Sequence, residues 1–266
     1  MDIIFHIGLH ETGTTFLQRE VFPVIDEVHL VRNQLYNLLT APKEKITLVS
    51  YELLSGHPWG GGWLSEFEIN TRAIGTSWPQ AGCMIGFRRH DQLVASLYKQ
   101  YLHEGHTGEP HVLFSSDGSG LISPADLCFR RRIDIVEQHF SEVFVYTQEE
   151  LKSNFSKFFR RFAHFLGGSS IEPDVISRSE KNVGVKTNFQ VALLKSINRI
   201  DASLKESPFP SLHNRIFRKF GLTPRSLCQR RLEGVGRKPW SLPEKMRTYL
   251  RNQFSDDWTC VQEAAD

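Results

Sequence analysis

Ile3-Ile4-Phe5-His6-Ile7-Gly8-Leu9-His10-Glu11-Thr12-Gly13-Thr14-Thr15-Phe16-Leu17-Gln18 is the stretch on which the fold turns. Its first part, Ile3 to Ile7, is short, β-branched and almost wholly apolar, the pattern of a central parallel strand covered on both faces. Gly8 ends that run. Thr14 to Phe22 then sets Phe16, Leu17, Val21 and Phe22 at helical spacing and stops near Pro23. Between strand and helix lie Gly8, Thr12, Gly13, Thr14 and Thr15. The glycines let the backbone curl until successive N–H groups point inward, and the threonines add hydroxyl donors. A helix start beyond such a loop adds partial positive charge where a phosphate would rest. The lysine that follows the second glycine of a nucleoside-triphosphate loop is replaced by Thr14. A P-loop small-molecule kinase is therefore an alternative that lacks its usual contact to the terminal phosphates.

Working outward, Ile46 to Ser50, Gly82 to Phe87 and Val143 to Tyr146 are further short apolar runs, separated by helix-length segments. The alternation predicts a parallel sheet. Helices are expected over Thr14–Phe22, Asp91–His103, Pro124–His139, Gln148–Leu166 and Asn188–Lys205, with a final helix near the end, because their apolar residues recur at three- and four-residue intervals. His57–Pro79, with Gly60-Gly61-Gly62 and three tryptophans, and His103–Ser123 read as long loops beside a site. The expected fold is α/β: a P-loop-like three-layer arrangement with a central parallel sheet flanked by helices, and a mostly helical C-terminal region. Residues 1–187 are expected to form the core. Residues 188–266 are expected to form a helical, basic extension packed on it, with Arg215, Arg218, Lys219, Arg225, Arg230, Arg231, Arg237 and Lys238.

Two elements together resemble PAPS-dependent sulfotransferases, the bacterial, carbohydrate-type members in particular; PAPS is 3′-phosphoadenosine 5′-phosphosulfate. The loop from Phe5 to Gln18 is similar to their 5′-phosphosulfate loop, usually Lys-Thr-Gly-Thr-Thr and often followed by Leu-Gln, with Glu11 where the family has its lysine. Strand Gly82–Phe87 runs into Arg88-Arg89-His90-Asp91-Gln92-Leu93-Val94-Ala95-Ser96, similar to the 3′-phosphate motif of an arginine at a strand end and a serine eight residues on. The resemblance implies that Gly8, Thr12, Gly13, Thr14 and Thr15 hold the 5′ end, and that Arg88 and Ser96 hold the 3′-phosphate, which separates PAPS from ATP. Arg178-Ser179-Glu180-Lys181-Asn182-Val183-Gly184 resembles a late basic loop of bacterial members, which implies that Lys181 and Asn182 touch the nucleotide.

The implied chemistry is transfer of a sulfuryl group from PAPS to a hydroxyl of a glycan, a lipid-linked sugar or a small metabolite. A base takes the acceptor proton while the loop stabilises charge on the leaving phosphate. Glu52 is the expected base: Ser50-Tyr51-Glu52 follows a strand and falls at the carboxyl edge of the sheet, where such folds bind ligands. His10 and His57 are in reserve. Glu11 is the difficulty, because two like charges about 5 Å apart cost roughly 3 kcal/mol at an effective dielectric near 20. The alternatives are that Glu11 impairs transfer and leaves a nucleotide-binding protein, that His10 or Lys181 supplies the missing cation, or that Glu11 turns outward. Trp59, Trp63 and Trp78 are candidate platforms for a sugar ring.

The 266 residues, 40% hydrophobic and 23% charged, suffice for one sizeable core. A net charge of +2 gives no argument for nucleic-acid binding. Cys83, Cys128, Cys228 and Cys260 are far apart, which suggests neither a zinc site nor a disulfide framework and predicts buried thiols in a reducing cytoplasm. No run reaches the roughly 20 apolar residues of a membrane helix, and Asp2 to Gly8 reads as a strand, not a signal peptide.

Overall fold

Five parallel strands, β1 (Ile3–Gly8), β2 (Val28–Arg32), β3 (Ile46–Ser50), β4 (Gly82–Phe87) and β5 (Glu142–Thr147), form one sheet in the order β2-β3-β1-β4-β5. The computed structural model describes residues 3–32, 41–168, 187–205 and 238–266. β1 lies in the middle, His6 opposite Ser50 on β3 and opposite Met84 on β4. Its alternating side chains feed two cores: Phe5 and Ile7 pack with Trp63, Leu97 and Val136, while Ile4 packs with Phe22, Phe158 and Phe162. A sheet buried on both faces in this way is the three-layer α/β architecture expected from its apolar strands.

β2 was not expected. With His29 and Arg32 on an edge position and only Val28 and Val31 buried, Val28–Arg32 carries too little apolar signal for a sequence reading, and charge at an edge strand discourages further pairing. His57–Pro79 is a further correction: helix α2 (Trp63–Ser77) occupies most of it. Trp63, Phe67, Thr71 and Ile74 form its buried stripe, and the polar Thr71 together with the preceding glycines hid the period.

Helix α1 starts at Thr14–Phe16, widens into a π turn over Leu17–Val21 and tightens into a 3₁₀ turn over Phe22–Val24 at Pro23. Helices α3 (His90–His103) and α4 (Pro110–Leu113) follow β4. The helix expected from Pro124 is a 3₁₀ turn (Ala125–Leu127) and then α5 (Phe129–His139), whose first N–H groups, on Phe129 and Arg130, donate to Asp257 at 2.9 Å each. The helix expected over Gln148–Leu166 is likewise two, α6 (Gln148–Ser153) and α7 (Phe155–Phe165), because Asn154 caps α7 by accepting from the Lys157 N–H. Phe155, Phe158, Phe159 and Phe162 of α7 are buried, with Phe158 5.8 Å from the Phe144 ring and 5.6 Å from the Tyr146 ring on β5.

The described part of the C-terminal region is α8 (Asn188–Lys205), α9 (Glu244–Gln253) and α10 (Ser255–Ala264). Arg251 on α9 donates to Asp91 at 2.7 Å, and Asp257 on α10 bonds His90 at 3.0 Å. The His90 ring is stacked between Phe129 and Phe254, with centroids at 4.0 and 4.6 Å. Among the described residues no helix is long and apolar enough to cross a membrane.

Candidate active site

The loops leaving the carboxyl ends of β1, β3, β4 and β5 carry the chemistry-bearing side chains, and β1 at the centre brings them together. Beyond Gly8 the chain folds into a cradle closed by Thr12, whose hydroxyl donates to the Leu9 carbonyl at 2.6 Å. Gly13 sits at φ 95°, the left-handed region that glycine occupies without strain, and the Leu17 N–H returns to its carbonyl at 3.1 Å. A Cβ on Gly8 would lie 2.3 Å from Thr14 Oγ1, so only glycine fits beneath that hydroxyl. Thr14 is buried, and its Oγ1 has no partner at ordinary hydrogen-bond geometry, although it lies near enough to the Glu52 carboxyl to moderate it. Thr15 is exposed.

Under the loop is a polar floor that sequence reading missed. His6 bonds Ser50 Oγ at 2.7 Å through Nδ1 and Tyr146 Oη at 2.9 Å through Nε2, tying β1 to β3 and β5. Gln18 donates to Ser50 Oγ at 2.9 Å. Burial pushes the His6 pKa from 6.5 down to about 3, so the ring is neutral, with one nitrogen donating and the other accepting. Burial also holds the Tyr146 phenol above its ordinary range, opposed by the Thr12 and Thr14 hydroxyls. The signal available in sequence was His6 itself, a polar side chain in an apolar run.

Glu52 opens a 3₁₀ turn (Glu52–Ser55) directly after β3. Burial first, and the charge of Glu11 second, raise its pKa from 4.5 to about 7, with the Thr14 hydroxyl acting the other way. A carboxyl poised there suits proton transfer near neutrality. His10 is its neighbour, Nδ1 3.9 Å from Glu52 Oε2, while Nε2 lies 3.1 Å from the Gly56 carbonyl and donates to it. Burial lowers the His10 pKa, and the nearby His57 adds to that. His57 is exposed, its ring edge-on to Trp59.

On the other side of the loop, Arg88 leaves β4 and donates through Nη1 to the Glu11 carbonyl at 3.2 Å, while its Nε is buried without a partner. Burial lowers the Arg88 pKa against the opposing pull of Glu11, Glu149 and Asp91. Ser96 lies on α3 and donates to Glu11 Oε2 at 2.7 Å. The expected pair thus converges on the loop, and Glu11 is turned inward to it instead of outward. Burial alone would raise Asp91, but the guanidiniums of Arg89 and Arg251 hold it below the usual carboxylate range.

Between α3 and the chain leading into α9 is a cavity of about 110 Å³ lined in part by Arg88, Ser96, Lys99, Trp240 and Arg247. That exceeds the ~10–15 Å³ a single water needs several-fold. Lys99, Trp240 and Arg247 were missed because Lys99 looks like a solvated helix residue and the other two lie far along the chain. Trp240 stacks on Tyr98 at 5.1 Å, with Lys99 Nζ 5.6 Å from its centroid. Burial and the nearby Arg88 lower the Lys99 pKa. Lys181, Asn182 and the basic residues from Arg215 to Arg237 lie outside the described residues. Of the candidate sugar platforms, Trp63 is fully buried with Arg132 stacked 4.5 Å from its ring; Trp78 is exposed, with one side of its ring on Phe5 just before β4; Trp59 is half-buried.

The structure is similar to that of a sulfotransferase from Alicyclobacillus acidocaldarius, with a TM-score of 0.51 and 13% identity, over 67% of this chain and 86% of that one. The fold is sulfotransferase-like. No family model matches the sequence, and no curated protein does. In this sulfotransferase-like fold the loop after β1 and the Arg88–Ser96 pair face each other across Glu11. Their orphaned donors, Thr14 Oγ1 and Arg88 Nε, together with a glycine that admits no Cβ, fit a phosphate-bearing nucleotide.

Proposed function

We propose that the protein is a sulfotransferase that uses PAPS to sulfate a hydroxyl of a glycan or small metabolite. The observation that carries this reading is the convergence of the Gly8–Thr15 loop, Glu52 and the Arg88–Ser96 pair at one edge of a sulfotransferase-like sheet. Gly8, Thr12, Gly13, Thr14 and Thr15 would hold the 5′ end. Arg88 and Ser96 would hold the 3′-phosphate, joined by Lys181 and Asn182 from the segment outside the described residues. Bound PAPS would supply a sulfuryl group activated by its anhydride link to the 5′-phosphate. Glu52 takes the proton from the acceptor hydroxyl as the acceptor oxygen bonds to sulfur, and the loop N–H groups stabilise charge on the departing phosphate oxygen. His10, neutral and held by the Gly56 carbonyl, lines the site beside that carboxyl, its Nδ1 3.9 Å from Glu52 Oε2. Trp59, half-buried beside the exposed His57 ring and on the same side of the loop as Glu52, would meet an acceptor ring.

A core of residues 1–187 with a helical extension of 188–266 is part of this reading, with the extension supplying one wall of the 3′-phosphate cavity. A cytoplasmic location is supported by Cys83, Cys128 and Cys260, all unpaired thiols. A second reading has a specific observation behind it: Glu11 engages Ser96, and a carboxylate replaces the cation expected at the leaving oxygen. The protein would then bind the nucleotide with little transfer, and activity gained only in Glu11→Lys would favour it.

The test is calorimetric titration with 3′,5′-adenosine bisphosphate, ADP and ATP on wild type and Arg88→Ala. A preference for the bisphosphate that collapses in Arg88→Ala is the expected result. Equal binding of ADP, or magnesium-dependent ATP binding, would overturn the 3′-phosphate assignment and point to a kinase.

A further inference from the structure

We infer that the Glu11 carboxylate is an intramolecular competitor for the 3′-phosphate, seated on Ser96 until a nucleotide carrying that phosphate exchanges with it. This rests on the PAPS reading above. Ser96 Oγ donates to Glu11 Oε2 at 2.7 Å, the length of a charge-assisted bond. A serine hydroxyl has a single proton to donate. It cannot serve Glu11 and a phosphate at once, so the two acceptors exclude each other.

The surroundings favour an anion at this position. Arg88, Lys99 and Arg247 line the neighbouring cavity, and its carboxylate, Asp91, is already engaged by Arg89 and Arg251. The Glu11 charge acts on both Arg88 and Lys99, partly offsetting what burial does to them. Arg88 keeps a buried Nε without a partner while its Nη1 holds the Glu11 backbone, so the guanidinium retains a donor for an incoming group. Glu11 is also the one non-glycine with positive φ among the described residues, at 65°. L-residues adopt that conformation at a cost. It turns the side chain of a loop residue inward to α3, where it meets Ser96.

The competition is selective. A nucleotide with only a 5′-phosphate has no call on Ser96 and binds with Glu11 in place, whereas the 3′-phosphate must displace the carboxylate. The loop motif alone would assign Glu11 a general repulsion of the 5′ end, which would weaken both kinds of nucleotide alike. The two accounts differ in a measurable ratio.

The experiment is calorimetric titration of wild type, Glu11→Gly and Glu11→Gln with 3′,5′-adenosine bisphosphate and with adenosine 5′-monophosphate. Glycine suits the positive φ, and glutamine keeps the size while removing the charge; circular dichroism melts check that each variant is folded. A hydrogen bond to a charged group corresponds to about a tenfold change in affinity, so Glu11→Gly should bind the bisphosphate about tenfold tighter while the monophosphate changes by less than about threefold. Glu11→Gln should fall between wild type and Glu11→Gly. Equal gains for both nucleotides, or no gain for the bisphosphate, would overturn the competitor assignment while leaving the PAPS site standing. A bisphosphate that binds no better than the monophosphate in all three proteins would instead overturn the PAPS reading, and this inference with it.

Discussion

Replacing Glu11 with glutamine should be felt at Glu52, a residue on a different strand end. Glu52 titrates near 7 instead of 4.5, for two reasons of unequal size: burial is the larger, and the Glu11 charge is next. At pH 7 about half of Glu52 is ionised, where an ordinary glutamate would be almost fully ionised. In Glu11→Gln the burial remains and the charge is gone, so the midpoint should fall while staying above the ordinary value. Carbon-13 NMR of the side-chain carboxyls needs no acceptor, and the Glu52 resonance is assigned by its loss in Glu52→Gln. The sign also fixes a stability difference. A carboxyl with a raised folded pKa contributes stability fully below its unfolded pKa and loses it as pH rises through the folded one. Wild type should therefore lose thermal stability relative to Glu52→Gln between about pH 4.5 and 7. A Glu52 midpoint in the ordinary range, or one that ignores Glu11→Gln, would refute the assignment of Glu52 as a base tuned by its surroundings.

The floor and the loop give two more expectations. His6 has its pKa lowered to about 3, so its contribution is present above the unfolded value of 6.5 and is lost as pH falls below it, by a total approaching about 5 kcal/mol near pH 3. His6→Gln should melt with a shallower acid dependence than wild type over that window; an identical dependence would show that His6 is not the buried neutral group described. Gly8→Ala should lose about 1–3 kcal/mol, as overpacking does, because its methyl falls 2.3 Å from Thr14 Oγ1. It should also weaken 3′,5′-adenosine bisphosphate binding; a variant as stable and as tight as wild type would contradict the close approach.

The layered fold was legible because Ile3 to Ile7, Gly82 to Phe87 and the aromatic repeat of α7 are patterns that burial imposes directly. β2 was not, since an edge strand with His29 and Arg32 needs only two buried positions. α2 was hidden by three glycines before it and by Thr71 in its buried stripe. Asn154 and Cys128 each broke a helix whose periodicity ran on across the break. In the site, the loop and the Arg88–Ser96 pair could be placed because the spacing of glycines, arginine and serine is local. The destination of the Glu11 carboxylate could not be read, because it depends on a serine 85 residues away. Lys99 gained its meaning only when Trp240 and Arg247 came to lie beside it.

The clasp between α3 and the last two helices has a consequence for how the protein is made. Arg251 reaches Asp91 across 160 residues, and Asp257 reaches His90 across 167. At about 5–20 residues per second of synthesis, the ribosome needs roughly 8–30 s to deliver them after α3 has emerged. Through that interval the nascent chain carries the Gly8–Thr15 loop with the facing wall still missing. The cavity beside Arg88 therefore closes only when the chain from Trp240 to Arg247 is in place, and Leu250, Phe254 and Val261 complete the core beneath it in the same step.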